Sequence, residues 1–182
     1  PEDVVKEPRS DTKPPYVDHP VTTTAVVQPR SGIYPVGREF KEMTGIGTGI
    51  VHLYNIEIID GRLLRFSFDF SWEIPSWNSN PVDVYLDNPV DTTFLLDRLG
   101  RQHPLVQTAE ISAERPMGVS PRSSKRFTMT FSFPSDMESF KYQAILLVKI
   151  KGLNQGGYMS TVPDQFRLHI RAEKEINLTD FR

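Results

Sequence analysis

Four aspartates, Asp83, Asp87, Asp91 and Asp97, crowd one short stretch of the chain. Calcium would use such a group, because it takes six to eight oxygens converging on one point. The spacing is not that of a calcium loop, however, and turns favour Asp for its own backbone hydrogen bonds. The four are read as solvated turn residues, with no metal and no cofactor expected. His19, His52, His103 and His169 are scattered, with no pair at helical or ribbon spacing for a metal, and are read as surface histidines rather than ligands or bases. A G-x-S-x-G elbow is missing, so a serine nucleophile has no local support. With no cysteine, thiol catalysis, thiolate metal sites and disulfides are all excluded. The chain is expected not to be an enzyme.

Other residues suit contact rather than catalysis. Aromatic faces stack on sugar rings or on partner side chains, which singles out Trp72, Trp77 and Tyr85. Trp72 continues an apolar stripe and is expected in the core. Trp77 lies in the proline-punctuated polar stretch Glu73 to Pro81 and has two readings, a cap over the end of the fold or an exposed contact. Arg115, Arg122, Lys125 and Arg126 could meet an acidic partner or glycan, or form a solvated rim. The candidate ligand-binding residues are therefore Trp77, Tyr85, Arg115 and Arg122. The glycines of Gly45-Ile46-Gly47-Thr48-Gly49 invite a nucleotide reading, but phosphate loops need a helix after them. Strand-like Ile50 to Ile59 follows instead, so a bend or bulge at a strand edge is expected.

The elements that must position these residues are strands. Leu64, Phe66, Phe68, Phe70 and Trp72 fall on one side of a period-2 chain, with Arg65, Ser67, Asp69 and Ser71 on the other. Phe127, Met129, Phe131 and Phe133 repeat the pattern, as do Phe166, Leu168 and Ile170 between Arg167, His169 and Arg171. Each dry face needs a second sheet. Further strands are expected over Ile50 to Ile59, Val82 to Leu86, Thr92 to Leu96 and Pro104 to Ile111, and over Ala144 to Ile150, which is apolar on both faces at its start, as a strand covered on both sides would be. Asp60-Gly61 supplies hairpin chemistry into the central strand. Ser135 and Glu138 are spaced as a capping box for one helical turn, the only helix expected. The spacing predicts an all-β, immunoglobulin-like antiparallel β-sandwich of about seven to nine strands.

Its expected boundaries are residues 31–172. Residues 1–30, with Pro1, Pro8, Pro14, Pro15, Pro20 and Pro29, read as a linker or stem, whose end Val21 to Val27 could add an edge strand or lie along the surface. Ser31 to Gly37 reads as turn chemistry, Glu39 to Met43 as a short polar approach, Ser112 to Lys125 as a loop, and residues 173–182 as a tail that frays. Of the 182 residues 38% are hydrophobic and the formal net charge is −2, enough for one domain with a real core and without the clustered basic surface of a nucleic-acid binder. The longest apolar run, Ala144 to Val148, is far short of the roughly 20 residues of a membrane-spanning helix. A start at Pro1 with a stiff polar tether leads to the expectation of a processed piece of a longer chain, with a signal peptide, lipid-attachment cysteine or membrane helix upstream.

The segment from Gly47 to about Ile150 resembles the telokin-like, immunoglobulin-like domains of bacterial extracytoplasmic proteins. The likeness lies in Asp60-Gly61-Arg62-Leu63-Leu64-Arg65-Phe66-Ser67-Phe68, in Thr93 to Pro104 and in Val119 to Phe131. The chain departs from that pattern after Phe70, where it has Trp72 and the Trp77 loop. The resemblance implies a secreted or cell-surface accessory module without an active site, and fold likeness alone assigns no ligand. The expected function is a non-catalytic interaction or spacer module of an extracytoplasmic protein, its strand edges open to β-augmentation or self-assembly with a protein partner. The alternative is a carbohydrate-binding module that uses Trp77 and Tyr85 on a glycan. A membrane is expected only through an anchor outside this chain.

Overall fold

The computed structural model describes residues 28–77, 82–87, 93–111, 115–151 and 164–182. Val21 to Val27 and Asp91 lie outside the described residues. The fold is all-β, and every strand pairing is antiparallel. The strands are β1 (Gly32–Met43), β2 (Thr48–Ile59), β3 (Leu63–Glu73), β4 (Val84–Leu86), β5 (Phe94–Asp97), β6 (Gln102–Ala109), β7 (Met117–Val119), β8 (Ser124–Ser132), β9 (Ser139–Ile150), β10 (Gln165–Arg171) and β11 (Ile176–Asn177). They form two sheets. The first runs β1-β2-β3-β8-β6, and the second runs β6-β5-β9-β4-β7, with β10 and β11 on the other side of β9.

Strand β6 belongs to both sheets. Its start pairs with β5, Leu95 opposite His103, and its end pairs with β8, Leu105 opposite Phe131 and Gln107 opposite Thr130. Val106 is the extra residue of the bulge between them, and a bulge bends a strand enough to turn such a corner. A second bulge settles the phase of β2. Val51 and Leu53 face inward at odd positions and Ile56 and Ile58 at even ones, so one residue must drop out of register, and the shift falls between Leu53 and Asn55.

The core lies between the sheets. Leu64, Phe66, Phe68, Phe70 and Trp72 are at most 1% exposed, each burial contributing about 1.5–3 kcal/mol before entropy is charged against it. Phe66 reaches across to Phe140 and Tyr142 of the second sheet, edge-on, at centroid distances of 6.3 and 5.6 Å, and Trp72 stacks on Phe166 at 5.9 Å. The Trp72 indole N–H, which must find an acceptor when buried, donates to the Val82 carbonyl at 3.0 Å. Gly47, in the β1–β2 connection, is required by this packing, because a Cβ there would lie 2.7 Å from the Trp72 ring and from the Glu73 carbonyl. The glycine run is thus the tight turn between two strands, closed by Thr44, whose Oγ1 donates to the Gly47 carbonyl at 2.8 Å.

Three strands were not expected. The stretch read as turn and polar approach is the twelve-residue β1, in which Tyr34, Val36, Arg38 and Phe40 turn inward while Pro35, Glu39 and Lys41 face out. Pro35 is tolerated because β1 is an edge strand, and Gly37, at φ 61°, sits in its bulge. β7 interrupts the expected loop of residues 112–125. β11 is the start of a tail that does not fray: Ile176, Leu178 and Phe181 are 4, 1 and 5% exposed, and Ile33 and Arg182 exchange backbone hydrogen bonds of 2.9 and 3.2 Å. Apolar residues too sparse for a strand pattern still close the open end of the sandwich, so the domain runs to the end of the described residues. Pro134–Met137 is a turn, with Met137 N–H donating to the Pro134 carbonyl at 3.1 Å, rather than the expected helical turn. A 3-10 turn occurs at Leu178–Asp180 instead.

Candidate functional site

The most highly organised polar cluster is centred on Asp97, at the end of β5. Its side chain is 2% exposed and accepts four hydrogen bonds: at Oδ1 from the Leu99 and Arg101 backbone N–H groups, both at 2.9 Å, and at Oδ2 from Arg101 Nε at 2.7 Å and His103 Nε2 at 2.8 Å. Burial pushes the carboxyl up, but the donors from His103, Arg101 and Leu99 outweigh it and hold Asp97 well below the usual carboxylate range. Arg101 in turn grips Asp136 through both terminal nitrogens, at 2.9 and 3.1 Å. Every lone-pair direction of Asp97 is thus committed, and His103 is spent on it. The cluster rigidifies the β5–β6 turn, on which Leu99 is 73% exposed.

This corrects two expectations. Asp97 is a buried turn residue, not a solvated one, and His103, its side chain 14% exposed, is not a surface histidine. An i, i+4, i+6 spacing of Asp, Arg and His in a hairpin turn was visible in the sequence; the burial that makes it strong was not. Asp83 is exposed and Asp87 pairs with Lys149 at 2.6 Å. His52 lies half-buried against Tyr54, the rings stacked at 4.2 Å, and His169 is exposed on β10. Among the described residues no three His, Cys, Asp or Glu side chains gather as a metal would need.

The four residues picked for ligand binding lie on different elements. Trp77 is 72% exposed in the turn after β3. Tyr85, on β4, is half-buried: it lies against its cross-strand partner Gly118, where a Cβ would meet the ring at 3.1 Å, and Lys151 Nζ sits 5.4 Å from the ring centroid. Arg115, before β7, and Arg122, after it, are both exposed. Arg122, at φ 60°, donates its backbone N–H to the Trp72 carbonyl at 2.8 Å and lines a shallow 410 Å³ cleft with Ser71, Glu73 and Ile74. Arg126 leaves the expected basic group altogether, pairing with Asp69 at 3.2 Å on the first sheet.

The two outer sheet faces differ in charge. On the first sheet three ion pairs neutralise most of the outward charge: Arg65 with Glu57 at 2.6 Å, Arg126 with Asp69 and Lys41 with Glu39 at 3.6 Å, while Glu73 at the end of β3 makes no ion pair among the described residues. Asp69 also accepts a hydrogen bond from the Tyr54 hydroxyl, which raises the pKa of that phenol, with burial adding to the rise.

On the second sheet, cross-strand register assigns the outer rows, because paired residues share a face. They are Gln102, Leu96 and Lys141; Pro104, Phe94, Gln143 and Arg171; Ile145 and His169; Leu147 and Arg167; and Gly118, Tyr85, Lys149 and Gln165. Ile145, Leu147 and Phe94 are half-buried and Leu96 is 37% exposed. Lys141, Arg167 and Arg171 make no ion pair among the described residues. The double apolarity of Ala144 to Ile150, read as cover on both faces, therefore leaves an apolar strip facing out with cations beside it. At the edge of this face Arg38 spans the gap between the sheets, bonding Glu173 at 2.6 Å, and shares a 490 Å³ cleft with Phe40, His169 and Arg171. No protein-family model matches this chain, and no curated protein matches it.

Proposed function

We propose that this chain is a non-catalytic interaction module of a secreted, cell-surface or envelope protein, and that it binds its partner through the outer face of the second sheet. The observation that carries the reading is the contrast between the faces: the first sheet pairs most of its outward charges, whereas the second sets Lys141, Arg167 and Arg171, without ion pairs among the described residues, around outward Phe94, Leu96, Ile145 and Leu147. Exposed apolar surface costs a free protein solubility, and such surface with uncompensated charge beside it is useful when a partner of opposite charge covers both. Asp97 and His103, the best-placed pair for acid–base chemistry, are engaged with each other and with backbone, which supports a structural rather than a catalytic role. Like charges on this face oppose its pairing with a second copy of itself.

A photoreactive residue placed at Ile145, compared with one at Ser67 on the first sheet, tests the reading in the native setting. Adducts are expected from Ile145 alone, and adducts from both positions or from neither would overturn it. The exposure of Trp77 favours carbohydrate binding as a second reading. A glycan array separates the two: sugar binding abolished by Trp77→Ala would displace the interaction reading.

A further inference from the structure

The chemistry of the second sheet's outer face also restricts what can cover it. Its apolar strip runs along β9 and β5, from the Leu96–Lys141 row to the Leu147 row. Those rows are six residues apart on β9, about 20 Å at 3.3 Å per residue, the length of roughly 13 helical residues. Along one side of the strip, on β10, Arg167, His169 and Arg171 repeat every second residue, and Lys141 stands at one end. Asp87, the carboxylate adjoining Leu147, is already held by Lys149.

We infer that the partner presents an amphipathic helix whose apolar stripe is flanked by carboxylates. The inference rests on the interaction-module reading and names the partner it implies. A sheet face with an apolar centre is ordinarily covered by a helix or a second sheet, and a single strip one helix wide suits the former. Polyanions such as sulfated glycans or lipid headgroups would satisfy the arginines but leave Phe94, Leu96, Ile145 and Leu147 without apolar contact. A flanking row of glutamates meets Arg167 and Arg171, a bidentate match that lysine-flanked helices lack.

The test uses the full chain and a stapled helical peptide of about 14 residues, with leucines at i, i+3 or i+4 and i+7 and flanking glutamates. Controls are a peptide with lysine flanks, a sequence-scrambled peptide, a sulfated polysaccharide and vesicles of mixed neutral and anionic phospholipid. The glutamate-flanked peptide is expected to bind, to weaken as salt rises, and to lose roughly tenfold or more in affinity with Arg167→Glu/Arg171→Glu and with Leu147→Ser. Lys125→Glu, at the first sheet, leaves its affinity unchanged.

Equal binding of the lysine-flanked or scrambled peptide, or indifference to the β10 charge reversal, overturns the inference. If instead the polysaccharide or the vesicles bind, lose binding with the same variants, and the acidic helix does not bind, the helical partner is wrong while the interaction face stands. If none of the probes binds and the Ile145 photo-crosslinker yields no adduct, the inference and the interaction reading fail together.

Discussion

Asp97 shows how one side chain can hold a hairpin in place. Four donors in a site that is 2% exposed make its ionised form the bound form, and removing the charge leaves His103 and two backbone N–H groups facing an amide nitrogen or nothing. Asp97→Asn is expected to destabilise the domain by about 2–4 kcal/mol in urea denaturation. The pH dependence follows from the direction of the shift. In the unfolded chain an Asp binds its proton near pH 3.9, whereas in the folded chain it does so only at lower pH, so the contribution is complete above about pH 5 and is lost progressively as pH falls below that. The stability difference between wild type and Asp97→Asn should therefore be constant from neutrality to about pH 5 and shrink on further acidification. A difference that grew instead would remove Asp97 as the cause. Gly47 belongs to the same scale: Gly47→Ala forces a Cβ into the Trp72 ring and should cost about 1–3 kcal/mol, with a shift in tryptophan fluorescence as the ring moves.

At the scale of elements, the informative cases are the strands whose neighbours decide their existence. The tail lies on β9 and β1, with Phe181 5% exposed beside Tyr34 and Phe140. Phe181→Ala should lower stability by about 3–5 kcal/mol, and deletion of residues 173–182 should cost at least as much, read as the urea midpoint. A tail without structural weight would leave both midpoints near wild type. β6 offers a sharper test. Deletion of Val106, the unpaired bulge residue, leaves Leu105 and Gln107 consecutive in regular register with β8 and removes the bend by which the strand passes from one sheet to the other. The expected result is loss of cooperative unfolding, whereas Val106→Thr, 59% exposed in the wild type, should be within about 0.5 kcal/mol of it.

For the whole molecule, the distribution of charge matters more than its sum. The net charge of −2 conceals a second-sheet face carrying Lys141, Lys149, Lys151, Arg167 and Arg171, because acids elsewhere compensate. The isolated chain should remain monomeric by analytical ultracentrifugation at low salt, where repulsion between like faces is longest ranged. Dimerisation that strengthens as salt is lowered would point to an acid–base pairing between copies and away from a separate acidic partner. Far-ultraviolet circular dichroism should show less than about a fifth helix, consistent with a fold whose only described helical turn is Leu178–Asp180.

Local sequence was sufficient for the all-β class and for eight strands, including the stripe Leu64 to Trp72, because a face buried against a second sheet forces a period of two that needs no knowledge of the partner strand. It was sufficient too for the Asp60-Gly61 turn, where φ values of 53° and 65° demand those residue types. Pairing and burial were decided only in the tertiary structure. β1 carries an arginine and a proline in its inward and outward positions, so its pattern is diluted, and it forms because β2 offers an edge to it. β7 and β11 are too short to have a period at all. The Asp97 cluster and the cationic sheet face were invisible for the same reason: the first depends on a depth that a turn motif does not encode, and the second on β9, which places Lys141, Ile145 and Leu147 beside the β10 arginines across a connection that local sequence cannot measure. Where a side chain's role depends on which strand lies next to it, only the folded sheet order assigns that role.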